Sequence, residues 1–378
     1  MQLRPYQQRA VEFLRGRERG FIIAPAGSGK TIIAAVAMGE ALSKADTPHT
    51  GVVVPRGLWV CNTREQLEQG VVALGVVEGP DEAEVEVVCA AAMPDASSAD
   101  CLVIDEAHHT IATSWMLTAA QASGRVLGFS ATPWMEPERD QLLLEFFGGI
   151  DNFHTITREE VLAGGHLAKG RVIIHDLDTR GEFDDLIEAR AIPEIARRCR
   201  RFWNIQKFEH ERRVRFQITQ EIVQENRVRN AHAVLTARAG VRAGRSVLIL
   251  IHSIEHGAEI AAQLESSVLV YSKIGAKKRR AAIADFKSGV TRCLIATSLA
   301  DEGLDVPIAS ELILLGGGRS SAKMEQRTGR VMRPYDGKSE GLVHDYADTG
   351  ARFAWAQSKA REKTYRALGY EIEHQKDC

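Results

Sequence analysis

Short apolar runs along the chain alternate with stretches in which apolar residues recur every three to four positions. Apolar runs bounded by turn residues read as buried strands, and the longer period reads as amphipathic helix. In the first half the runs are 21–24, 58–61, 87–89, 101–104 and 125–129. Pro5 can open a helix whose apolar side carries Tyr6, Ala10, Phe13 and Leu14. A second helix starts at Ile32, and 134–149 reads as turn, helix and glycine stop. Residues 172–175 suggest a short strand, and 182–239 are largely helical and heavily charged. Runs at 245–253, 268–272, 292–297 and 311–315 then enclose helices at 256–264 and 277–289. A last helix over 351–368 is expected to dock through Phe353 or Trp355. Strand and helix in alternation predict α/β domains with mostly parallel sheets. The expected division is 1–165, a connecting, largely helical basic segment 166–240, and 241–378.

Chemistry gathers where runs end. After Phe21–Ala24 comes a turn of small residues, then an apolar helix. Ala26, Gly27, Ser28 and Gly29 form a phosphate loop, in which glycines let successive N–H groups face one concavity. Lys30 supplies a point charge for the β- and γ-phosphates of ATP, and Thr31 a hydroxyl for Mg2+. The run at 101–104 delivers Asp105 and Glu106, about 75 residues later. Asp105 is suited to holding the magnesium and Glu106 to polarising an attacking water. His108, two residues on, reads as a satisfied surface histidine or a metal ligand, the metal being disfavoured because no ligand cluster follows. Ser130 and Thr132 can hydrogen-bond toward the acidic pair and toward a nucleic acid. Upstream, the Gln7 amide suits an adenine edge and Tyr6 could lie near the ring; a plain amphipathic helix is the alternative. Thr63 and Arg64, at a helix start past a strand end, can hold a backbone phosphate or simply cap the helix.

In the second half, the run at 245–253 ends in His252 and Ser253. Arg327, Arg330 and Arg333 recur every third residue, which places them near one helical face. Such a cluster is a solvated face or a set of fingers for a γ-phosphate. Phe202 and Trp203 stand among arginines and read as a stacking patch or as a helix with aromatics in the core.

The totals fit this picture. A chain of 378 residues suggests about two domains. Hydrophobic content of 44% and charged content of 26% are ordinary for a globular protein. A net charge of −2 leaves nucleic acid open, because a local basic channel can exist on a neutral surface. No apolar run nears the ~18 residues of a membrane span, and the start lacks a signal-peptide core. The six cysteines form no close metal-type pairs. A cytoplasmic setting is expected.

The loop at 24–31, Asp105-Glu106-Ala107-His108, Ser130-Ala131-Thr132 and Gln326–Arg333 together resemble superfamily 2 helicases of the DExH group with a DEAH box. The resemblance covers nearly the whole chain and implies two RecA-like domains with an ATP cleft between them. It implies that Arg330 and Arg333 reach the γ-phosphate while Arg327 organises the loop. Thr297 and Ser298 would face nucleic acid, and Gly303 and Asp305 the nucleotide, with Asp305 near the ribose. The implied activity is ATP-dependent DNA unwinding; the alternatives are a double-stranded DNA translocase or an RNA helicase.

Overall fold

The computed structural model describes the chain except residues 1, 44–53, 63, 77–82, 110–112, 135–136, 178–182, 199–204, 298–303, 305, 317, 319, 351 and 378. The Phe202–Trp203 patch, Thr63, Ser298, Gly303 and Asp305 therefore lie outside the described residues. The chain forms two units, Met1–Leu167 and Ala168–Cys378.

The first unit runs α1 (Pro5–Leu14), β1 (Arg19–Ile23), α2 (Lys30–Leu42), β2 (Arg56–Cys61), α3 (Arg64–Val76), β3 (Glu84–Cys89) and β4 (Cys101–Asp105). It continues through α4 (Thr113–Ala120), β5 (Arg125–Ser130), α5 (Pro137–Phe146), β6 (Phe153–Thr155) and α6 (Arg158–Ala163). The described strands form one sheet, ordered β3-β2-β4-β5-β1-β6, and every pairing is parallel. Helices cover a parallel sheet on both faces, so its strands are apolar throughout rather than alternating. Leu58–Cys61 and Cys101–Ile104 are buried without a break. One face gathers Phe21, Leu58, Val60, Leu102, Ile104, Val126 and Phe147 into a core. Because β4, β5 and β1 are neighbours, their carboxyl ends lie side by side, where ligands bind open parallel sheets.

The second unit runs β7 (Lys169–Leu177), α7 (Phe183–Arg198), α8 (Ile205–Glu225), α9 (Arg227–Arg242), β8 (Val247–Leu250), α10 (Ile254–Ala261) and β9 (Ser267–Val270). It continues through α11 (Ala276–Lys287), β10 (Cys293–Ala296), β11 (Glu311–Leu314), α12 (Ser321–Val331), β12 (Glu340–Asp348), α13 (Arg352–Ala367) and β13 (Glu371–Asp377). Its sheet is ordered β13-β7-β12-β11-β8-β10-β9, again parallel throughout. The run at 172–175 proves to be the middle of a nine-residue strand that pairs with both β12 and β13. The 166–240 segment thus supplies a strand of this sheet as well as α7, α8 and α9.

Of the two aromatics expected to dock the last helix, Phe353 meets Phe216 of α8 with ring centroids 5.9 Å apart, whereas the docking through Trp355 is corrected, since that side chain is 43% exposed. The buried side of α13 carries Ala354, Gln357, Ser358, Arg361, Glu362 and Tyr365. Polar groups are tolerated there where they meet partners. Arg361 is bidentate on Asp345, at 2.8 and 2.9 Å, and Tyr365 donates its hydroxyl to the same carboxylate at 2.8 Å. Arg229 pairs with Asp348 at 3.2 Å and also donates to the Leu315 carbonyl. Removing one partner of a buried pair strands the other charge. Asp345→Asn is expected to destabilise the second unit by about 3–5 kcal/mol in chemical denaturation while the transition of the first unit stays in place.

Candidate functional site

Helix α2 begins in an unusual way. Its N-cap is Gly29, in the left-handed region at φ +84°, and no side chain caps the helix. The first N–H groups of any helix lack intrahelical acceptors, and the dipole adds partial positive charge there. Gly27, at φ +86°, completes the curl. A Cβ on Gly29 would approach Gln7 Nε2 to 2.5 Å, so only glycine suits that position. Lys30 rests its ammonium on the Ala24 carbonyl at 3.0 Å, and Thr31 occupies the first helical turn. Ser28 Oγ is buried with no hydrogen-bond partner among the described residues. An uncapped helix start, two left-handed glycines, a lysine and an unused hydroxyl fit a polyphosphate.

Helix α1 props this loop from below. Tyr6 OH and Gln7 Nε2 each donate to the Ser28 carbonyl at 3.0 Å. Gln7 Oε1 accepts from the Arg4 N–H, and Arg4 Nη1 donates to Tyr6 OH. Both side chains are buried. The structure gives them work on the loop itself, a role the sequence pattern did not disclose.

Asp105 ends β4. Burial and then the charge of Glu106 push its carboxyl above the usual carboxylate range, while Lys30 and the Glu106 N–H, at 3.0 Å, pull it down. A carboxylate in such surroundings gains from a cation, which fits the magnesium assigned to it and to Thr31. Glu106 has φ +49°, the left-handed region that non-glycine residues seldom enter. Among the described residues it is the one non-glycine at positive φ. That turn aims its carboxylate at Ser130.

Ser130 is a junction. Its carbonyl accepts from Ala24 N, at the mouth of the phosphate loop. Its hydroxyl accepts from Thr132 N at 3.1 Å, lies 2.8 Å from His108 Nδ1, and lies 3.4 Å from Glu106 Oε2. The hydroxyl has one proton and two claimants. With His108 Nδ1 as acceptor, the proton goes to the imidazole; with Nδ1–H as donor, it turns to Glu106. The tautomer of His108 and the contact of Glu106 are therefore linked. Burial foremost, then His109, Lys30 and Arg139, pulls His108 down to about 3, so it is neutral at ordinary pH. Thr132 keeps a buried Oγ1 without a hydrogen-bond partner among the described residues.

In the second unit, Arg327 and Arg330 lie on α12, but Arg333 does not. The helix ends at Val331, and Arg333 precedes Pro334, which disfavours helical backbone at the residue before it. The expectation of one shared helical face is corrected accordingly. Arg330 is buried and donates Nη1 to the Leu304 carbonyl. His252 is exposed. Ser253 caps α10 by accepting from His256 N, and it donates to Gln224 Oε1 of α8 at 2.8 Å. Thr297 is buried at the end of β10. The side chain of Arg64 lies outside the described residues.

These features define tandem RecA-like units, each a parallel sheet flanked by helices with its chemistry at the carboxyl ends of the strands. Residues 1–73 match the family model described as type III restriction enzyme, res subunit, and 229–335 the one described as helicase conserved C-terminal domain. A protein named as a helicase in Sulfolobus islandicus filamentous virus is 29% identical over 66% of this chain and 42% of its own. The DNA 3'-5' translocase XPB2 of Sulfurisphaera tokodaii is 23% identical over 93% of this chain and 82% of its own. The DNA 3'-5' helicase XPB of Kineococcus radiotolerans is 24% identical over 88% of this chain and 57% of its own. The chain thus spans about half the length of several curated relatives. Its fold is similar to S. cerevisiae Dbp5 bound to RNA and ADP BeF3, with TM-score 0.61, 15% identity, and 98% and 89% of the two chains covered. It is also similar to the Pyrococcus furiosus Hef helicase domain, with TM-score 0.54, 16% identity, and 93% and 98% covered. The chain carries a superfamily 2 helicase core of the DExH/DEAH type.

One consequence concerns pH. His256 Nε2–H donates to Asn230 Oδ1 at 2.9 Å, and burial, then Arg229 and His252, pulls it down to about 4. The unfolded imidazole titrates near its ordinary value, about 6.5. Between about 4 and 6.5 the unfolded chain binds the extra proton, so stability rises with pH across that window and is lost as pH falls through it. Denaturation midpoints of the second unit are expected to drop from pH 7 to pH 4.5, and His256→Gln to flatten part of that slope.

Proposed function

We propose that the protein is an ATP-dependent DNA helicase. It hydrolyses ATP to ADP and phosphate and translocates on DNA, single-stranded or branched, through backbone contacts. The observation that carries this reading is the Ser130 junction, which joins the phosphate loop, Glu106 and Thr132 through one residue. A change in what Glu106 contacts is thereby felt at the segment assigned to nucleic acid. The relatives named for DNA 3'-5' activity support DNA over RNA.

ATP with Mg2+ supplies the γ-phosphoryl group when bound. The loop at 24–29 and the start of α2 offer backbone N–H groups to the phosphates, and Lys30 adds its charge. Thr31 and Asp105 hold the metal. Glu106 orients water and accepts its proton. Arg330 and Arg333 are assigned to charge developing on the γ-phosphate, with Arg327 organising the segment that bears them. Tyr6 and Gln7 hold the loop and are assigned to the adenine side. Thr63, Arg64, Ser130, Thr132, His252, Ser253, Thr297 and Ser298 are assigned to nucleic acid and coupling, and Gly303 and Asp305 to the nucleotide. A double-stranded DNA translocase shares all of these residues, and the Sulfurisphaera relative is named a DNA 3'-5' translocase.

Steady-state ATPase activity with single-stranded, duplex and branched DNA and with RNA, at one salt concentration, tests the reading. Stimulation by single strands or forks is expected; best stimulation by plain duplex selects the translocase, and by RNA alone overturns the DNA assignment. Glu106→Gln is expected to bind ATP normally while turnover falls by roughly a hundredfold or more. Near-normal turnover would remove Glu106 from its role.

A further inference from the structure

Three residues past the region matched as helicase C-terminal domain stands Lys338. Its ammonium group points inward, donating to the Pro307 carbonyl at 3.0 Å and the Ala309 carbonyl at 2.6 Å. Arg330 donates to the Leu304 carbonyl of the same segment. Two cations from the arginine-bearing stretch thus grip carbonyls before and after position 305 in the chain. The backbone leading to Lys338 is constrained. Pro334 restricts the chain just after Arg333, and a tight turn closes with Lys338 N–H donating to the Tyr335 carbonyl at 2.9 Å.

The other side of this stretch is also pinned. Ala168 N–H donates to the Met332 carbonyl at 2.8 Å. Gly341 of β12 lies so close beneath the end of α12 that a Cβ there would meet the Val331 carbonyl at 2.3 Å. Residues 331–338 therefore sit between fixed points, with Arg333 among them. Burial, and secondarily the charge of Arg333, pulls the Lys338 ammonium down to about 7 from its ordinary value. Burying an ammonium near another cation is costly unless carbonyl dipoles compensate. A neutral side chain able to make the same contacts would avoid that cost, so the charged grip calls for a use.

We propose that Lys338 is a positioning residue for ATP hydrolysis: its ammonium, together with Arg330, fastens segment 304–309 to the arginine-bearing stretch and so holds the aim of Arg330 and Arg333. This rests on the functional reading above. Lys338 itself touches no reacting group. Its loss loosens the 304–309 segment, and Arg330 then loses the carbonyl that orients its guanidinium. Because misaimed charge is felt in the transition state more than in substrate binding, the effect falls on kcat rather than on KM.

The test uses the full chain and the variants Lys338→Met, which keeps the length and removes the donors, and Lys338→Arg, which keeps donors and charge. Hydrogen exchange of the peptide covering 304–311, without nucleotide, is the first readout. Faster exchange there in Lys338→Met, with the strands β8 and β10 unchanged, is expected. The second is steady-state ATP hydrolysis with the most stimulating nucleic acid. In Lys338→Met, kcat is expected to fall by roughly tenfold or more while KM for ATP changes by less than about threefold. Lys338→Arg is expected to recover most of both readouts. Wild-type exchange and kcat in Lys338→Met would overturn the proposal, as would equal impairment of both variants, which points to packing alone. A Lys30→Ala control separates the two levels. Hydrolysis that Lys30→Ala abolishes but Lys338→Met leaves intact overturns this proposal only. Hydrolysis indifferent to Lys30→Ala overturns the functional reading and this proposal with it.

Discussion

A helix that starts without a cap leaves several N–H groups in search of an acceptor, and the first unit is built around tolerating that deficit at Lys30. The deficit sits at the end of a central strand, so it cannot drift. Tyr6 and Gln7 lift the loop through one carbonyl, that of Ser28. The Ser130 carbonyl ties the loop's mouth to the neighbouring strand. Asp105 and Glu106 then stand on the far side of that strand, one with a carboxyl disfavoured by burial and the other in strained backbone. Each is poor structure taken alone. Together they make sense as a place that trades stability for an anion and a cation.

The second unit solves a different problem. Its strand ends must carry polar chemistry while a large sheet stays closed. The buried pairs Arg361–Asp345 and Arg229–Asp348 fix the loop that follows β11, through the carbonyls of Leu315 and Gly318, and Arg361 also donates to the Tyr346 carbonyl within β12. Gln224 carries the same logic to Ser253, so that α8 is fastened to the end of β8. Charge here sets geometry where apolar contact would leave the loops free to slide.

What could be read from the sequence was what depends on neighbours along the chain. Phe21 to Thr31 and Cys101 to Glu106 carry strand, turn and helix in one stretch, so local pattern and chemistry coincide. The alternation of strand and helix gave two parallel sheets. What escaped notice depends on residues far apart. Lys169–Leu177 looks like a short strand because its unbroken apolar run is just Val172, Ile173 and Ile174, yet pairing on both sides extends it to nine residues. Glu371–Asp377 is polar enough to hide as loop, since an edge strand need not be apolar. Arg333 was placed on a helix by spacing, and Pro334 overruled it. The polar face of α13 was missed because helical patterning assumes that buried means apolar.

The pairing of Lys169–Leu177 sets an order of events during synthesis. This strand is hydrogen-bonded on one side to Glu340–Asp348 and on the other to Glu371–Asp377. Both are made long after it. At ribosomal speeds of about 5–20 residues per second, it waits roughly ten seconds or more for its first neighbour. The first unit owes nothing to later residues for its sheet and can close while the rest is still being synthesised. The second cannot complete its own until nearly all of it has emerged, so the nascent chain carries an exposed apolar strand edge through most of that interval. Chaperone dependence and the sensitivity of yield to temperature would then reside in the second unit.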